Sequence, residues 1–182
     1  APTEKIQNLA ESAMNHVEFR LDTLKHPAIY PFAMEGKSVK ADSSSDGAVY
    51  TFLLLSSYFG GDIGSSNHAY TTLFEDLSAV AVHNYLGAES TGAQVYQFGH
   101  PRREGQPTAF IEAVDDLCDK WGEGGRAKPR SIAYRHKDAK LDIVAWIPPL
   151  DRRVGMFSGF GQCATGVHWR DKLYELQPES WC

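Results

Sequence analysis

The chain has 182 residues, 42% of them hydrophobic and 23% charged, which suits one globular domain with a real core, or such a domain with a helical extension. No apolar run reaches transmembrane length and APTEKIQNLAES lacks the regions of a signal peptide, so no membrane association is expected. Three cysteines without paired spacing argue against a disulfide framework or zinc module and for a reducing, cytoplasmic location, and the net charge of −5 argues against a uniformly basic nucleic-acid binder.

In chain order, TEKIQNLAESAMNHVEFRLDTL spaces Ile6, Leu9, Ala13, Val17 and Leu21 for one helix face. HPAIYPFAMEGKSVKADSSSDG breaks the period with two prolines and a Ser/Asp/Gly cluster, and reads as a loop. AVYTFLLLSSYFGG reads as a short buried helix closed by Gly60 and Gly61. SSNHAYTTLFEDLSAVAVHNYLG is the clearest helix, with Leu73, Leu77, Val80 and Ala81 as its face and Gly87 as its stop. AQVYQFG alternates like a strand, and TAFIEAVDDLCDKWGEGG is an amphipathic helix begun at Thr108. RSIAYRH, KLDIVAWI and VGMFSGFGQCA then read as three strands, PPLDRRVG as a turn and HWRDKLYELQ as a closing helix. Helices followed by roughly β-α-β-β-β-α imply an α/β or α+β core with an N-terminal helical cap. The stop soon after the last helix begins reads as one part of a longer protein.

Charge is unevenly spread. Residues 1–101 hold five Lys/Arg against eleven Asp/Glu, whereas Arg126, Lys128, Arg130, Arg135, Lys137 and Lys140 face only Asp138. That strip reads equally as a phosphate-facing surface or as a solvated loop and edge strand.

The chemistry centres on FSGFGQCATGVHW, which carries Gln162 and Cys163 side by side in an apolar run. A thiol nucleophile needs an oriented histidine base, and the one downstream histidine, His168, lies only five residues on. Cys163, inside the apparent strand, therefore reads as a small packing side chain. Asp142 is the one acid in the apolar run LDIVAWI, where burial is costly unless something pairs with it, and a divalent cation is an efficient partner. Gln162 ends the next strand with a side-chain oxygen. Together the two make a candidate Mg²⁺ site; singly, Asp142 also reads as a strand-end acid and Gln162 as a hydrogen-bonded core amide.

This arrangement resembles the PD-(D/E)XK nuclease superfamily, of restriction-endonuclease-like fold. There an acid opens the second core strand, an acid or glutamine, any residue and then lysine lie on the third, and a preceding helix often adds a glutamate. Asp142 matches the first acid, Gln162 the third-strand ligand, and Glu75 in LFEDLSAVAV the helix glutamate. The lysine position holds Ala164. Some members move that lysine to the following helix, where Lys172 stands in WRDKL, a residue that also reads as an exposed lysine paired with Asp171 or Glu175.

The resemblance covers about residues 68 to 182, and GFGQCATG with LDIVAW looks like bacterial nuclease modules of anti-phage defence systems. It implies a mixed central sheet flanked by helices, residues 1–66 as a helical extension and 67–182 as the nuclease domain. It further implies an Mg²⁺-dependent DNA endonuclease, with Mn²⁺ as a substitute. Glu75, Asp142 and Gln162 would hold the metal, Lys172 would stabilise charge, and the basic strip would meet DNA. An acidic chain with so short a strip would need a partner to hold a long duplex: an ATPase or sensor subunit, a further domain, or a second copy. The alternative is a catalytically silent nuclease-like module that binds DNA or a partner subunit.

Overall fold

The computed structural model describes residues 2–24, 29–42, 46–59, 68–125, 140–151, 153–166 and 168–176. They form an α+β protein with two small antiparallel sheets, and the chain divides into two compact units, Ala1–Phe59 and Gly60–Cys182. Among the described residues no helix is long and apolar enough to cross a membrane.

The first unit holds α1 (Pro2–Thr23), β1 (Phe32–Glu35), β2 (Ser38–Ala41) and α2 (Ala48–Tyr58). The expected loop over residues 26–47 is therefore partly a hairpin, in register from Phe32 opposite Ala41 to Glu35 opposite Ser38. Gly36, at φ +60°, supplies the left-handed backbone that the two-residue turn requires, and the Ser38 hydroxyl donates to Glu35 O at 2.8 Å. Tyr30 anchors this unit, meeting Phe32 and Tyr50 edge-on at 5.5 and 5.0 Å. The buried helix expected at α2 is a correction too: only Ser56 is buried, and Leu53, Leu54 and Leu55 stand over 40% exposed.

The second unit runs α3 (His68–Tyr85), α4 (Ala88–Thr91), β3 (Gln94–Gln97), α5 (Phe110–Trp121), β4 (Ile143–Ile147), β5 (Phe157–Gly161) and a 3₁₀ turn (Trp169–Lys172). The sheet has the order β3-β4-β5 and is antiparallel in every described ladder, where a mixed sheet is expected from sequence. Phe110, Ala113, Val114 and Leu117 form one buried face of α5 and pack on Tyr96, Val144 and Trp146. Phe110, Val114 and Leu117 each contribute about 1.5–3 kcal/mol by leaving water. The opposite sheet face, with Ile143 and Ala145, looks toward Phe74, Ser78 and Val82 of α3. The face expected for α3 is rotated away, since Leu73, Val80 and Ala81 are exposed. The cause is polar: Asp76 accepts from the Gln97 amide at 2.7 Å and turns the helix toward the end of β3.

The closing helix expected at residues 168–177 is one 3₁₀ turn. Trp169, Leu173 and Tyr174 are 46%, 62% and 85% exposed, so little packing sustains a longer helix. The strand expected at RSIAYRH lies outside the described residues, as do Arg126, Lys128, Arg130, Arg135 and Lys137.

The chain beyond β3 bears on function. The backbone N–H groups of Phe98 and Gly99 both donate to Asp142 O, at 2.7 and 3.2 Å. Two residues facing one is a β-bulge, which re-aims side chains. Leu141 and Val144 both enter the core that packs on α5, although strict alternation puts residues three apart on opposite faces. The irregularity between them turns Asp142 toward α3.

Candidate functional site

Glu75 reaches the sheet end from α3, and its side chain is 14% exposed. Asp142 immediately precedes β4, and its Oδ2 accepts the Cys163 N–H at 2.6 Å. Both carboxylates look into the space over Gly99: a Cβ there would lie 3.1 Å from Glu75 Oε2 and 3.3 Å from Asp142 Oδ1. The missing side chain keeps that space open. Burial, then the charge of Asp142, push the Glu75 carboxyl up to about 7, against the opposing pull of Arg103.

Arg103, on the loop between β3 and α5, is the functional residue that sequence reasoning missed. Its Nη2 donates to Glu75 Oε2 at 3.1 Å and to Asp76 Oδ1 at 2.9 Å, and its Nε to Gln97 Oε1 at 3.1 Å. Gln106 Oε1 accepts the Arg103 backbone N–H at 3.0 Å, and the Gln106 amide donates to Gln97 O at 3.0 Å. Paired arginines in PRREG, just past the acidic stretch 1–101, were the available signal. Nothing in local spacing says that they meet a carboxylate 28 positions upstream.

Gln162 lies just past β5, beside the acid pair, because its neighbour Cys163 caps Asp142. Its amide nitrogen donates to Glu175 Oε2 at 3.3 Å, so the side chain is held by Glu175 and not by the pair. Lys172 shares with Gln162 and Cys163 the wall of a largely apolar cavity of about 610 Å³, whose lining does not include Glu75 or Asp142. The pairings expected for Lys172 go elsewhere: Asp171 meets His168 at 3.5 Å, and Glu175 meets Lys140 at 3.8 Å. Lys140 is thus partly engaged, though its side chain is 58% exposed.

The carboxylates of Glu75 and Asp142 are hard oxygen donors, and the gap at Gly99 leaves room between them. A divalent cation there would relieve the repulsion that raises Glu75. The fit rests on this pair with Gln162 next to it; among the described residues there is no group of three His, Cys, Asp or Glu side chains suited to a metal. The Cys163 thiol is pushed up to about 11 by burial and by the nearby charges of Asp142 and Glu75, despite a hydrogen bond with Ser78. A thiolate nucleophile needs the opposite environment. Compared with protein-family models, curated proteins and solved structures, the chain matches none of them.

Proposed function

We propose that the chain is a divalent-metal-dependent DNA endonuclease with a restriction-endonuclease-like core, working in the bacterial cytoplasm as the effector of an anti-phage system. The observation that carries this reading is the convergence of Glu75 and Asp142 over Gly99, where the β-bulge turns Asp142 toward α3.

In this reading Glu75 and Asp142 would hold Mg²⁺ or Mn²⁺, and Gln162, whose amide nitrogen bonds Glu175, would offer its amide oxygen. When bound, the ion supplies charge stabilisation at the phosphodiester and acidifies a water. To serve as a ligand Glu75 would have to release its proton to solvent, because a ligand carboxyl must be ionised. Asp142 holds the Cys163 N–H throughout, which fixes the start of the segment after β5. Lys140 and the basic residues before it meet the DNA backbone, and a partner subunit, such as an ATPase or sensor, or a second copy completes the duplex grip.

A second reading has its own support. Ala164 stands in the lysine position and the Gln162 amide is already engaged, both of which suit a silent module that binds DNA or a partner. Incubating purified protein with plasmid DNA in Mg²⁺, Mn²⁺ or EDTA separates the two. Metal-dependent nicking is expected; DNA binding with metal bound and no cleavage would favour the silent module.

A further inference from the structure

The family pattern places a cation two residues beyond Gln162, where this chain has Ala164, and Lys172 stands on an apolar cavity wall. A different cation, Arg103, already touches Glu75. We propose that Arg103 supplies the positive charge that faces the substrate phosphate at Glu75 and Asp142, so that the β3–α5 loop takes over the task of the missing lysine. This inference rests on the nuclease reading above.

Four observations carry it. The guanidinium lies 3.1 Å from Glu75 Oε2, so a phosphate held through a cation on Glu75 comes within its reach. The group is preorganised: Nε is bonded to Gln97, the backbone N–H to Gln106, and Nη2 to two carboxylates. Its Nη1 amino group has no hydrogen-bond partner among the described residues, leaving donors for a phosphate oxygen. Arg103 also lines a cleft of about 720 Å³ along β3, shared with Tyr96, Gln106, Lys120 and Trp121. Neither Glu75 nor Asp142 lines this cleft; Arg103 and its partner Gln97 are what join it to the site, since Arg103 lines the cleft and also bonds Glu75.

Charge balance explains how one residue can serve both states. Glu75 and Asp76 both accept from one guanidinium, and Asp142 adds a further negative charge beside Glu75. A divalent cation held by Glu75 and Asp142 would offset that surplus of negative charge, while Gln97, Gln106 and Asp76 would keep Arg103 in place with Nη1 open to the phosphate.

The test compares Arg103→Ala, Arg103→Gln, Arg103→Lys and Lys172→Ala on a 20-base-pair duplex. It measures single-turnover cleavage in Mg²⁺, duplex affinity against salt with Ca²⁺ in place of Mg²⁺, and Mn²⁺ affinity. Arg103→Ala should slow cleavage about 10²–10³-fold, by the measure of one lost charge-stabilising donor, and at least tenfold more than Lys172→Ala. Arg103→Lys should regain part of the rate. Arg103→Ala and Arg103→Gln should lower the salt slope of duplex binding by about one, a change that a merely structural role would not produce. Their Mn²⁺ affinity should stay level or rise, because Glu75 loses a competitor.

Wild-type cleavage rates in Arg103→Ala, or a larger loss in Lys172→Ala, overturn the inference and leave the nuclease reading intact. If the wild type binds metal and duplex without cleaving, an unchanged salt slope in Arg103→Gln overturns it. A wild type that neither binds Mn²⁺ nor cleaves ends the nuclease reading, and this inference with it.

Discussion

A methyl group at position 99 would stand 3.1 and 3.3 Å from the two carboxylate oxygens, closer than most real Cβ contacts. The oxygens end flexible side chains and give way, so the expected cost falls on the metal site and not on the fold. Gly99→Ala should weaken Mn²⁺ binding on the order of tenfold while stability stays within about 1 kcal/mol. A titration followed by electron paramagnetic resonance, with urea unfolding alongside, checks both. Glu75 gives a pH signature. Its carboxyl titrates near 7 in the fold against an ordinary 4.5, so the folded state holds that proton more tightly than the unfolded chain. Stability from this group is complete below about pH 4.5 and is lost as pH rises through 7. Metal-free Glu75→Gln should lack that part of the decline when thermal midpoints are compared from pH 4.5 to 8. Asp142 was legible because an acid in an apolar run must be matched by something. Glu75 became legible by resemblance to a family pattern. Gly99 and Arg103 were not legible, since their importance arises from approaches between segments far apart in the chain.

Among the elements, α5 announced itself through apolar residues three and four apart, and the structure buries that face. Leu117 is 2% exposed within the core cluster, so Leu117→Ala should cost about 2–5 kcal/mol in urea unfolding, with the slope against denaturant unchanged. A loss below 1 kcal/mol would mean that α5 does not organise this core. The β1–β2 hairpin hid behind prolines and a Ser/Asp/Gly cluster, which punctuate hairpins as readily as loops. Its strands are four residues each, too short for alternation to outweigh that punctuation. For α3 the helix was evident but its rotation was not, because Asp76 and Glu75 are drawn to Gln97 and Arg103 across the sheet end. Apolar periodicity cannot register a helix turned by hydrogen bonds. The bulge at Phe98–Gly99 escaped for a related reason: it depends on the partner strand, and only the glycine hinted at it.

For the molecule as a whole, the order of helical and strand-like runs pointed to a mix of helices and sheets, which the structure has. The pairing of strands and the meeting of α3 with the sheet end needed the structure. On the nuclease reading, an acidic chain that gathers Glu75, Asp76 and Asp142 would repel DNA until a cation entered. Duplex affinity should therefore rise at least tenfold when Ca²⁺ replaces EDTA at constant ionic strength, as measured by fluorescence anisotropy; equal affinity in both would show that DNA does not approach this site. The claim on which the rest depends is that Glu75 and Asp142 hold a divalent ion. Calorimetric titration of Mn²⁺ into the wild type and into Asp142→Asn tests it directly, since asparagine keeps an oxygen for the Cys163 N–H and removes the charge. One site in the wild type, weakened tenfold or more in the variant, is the expected result. Equal affinity in the two proteins, or no binding to either, would contradict it.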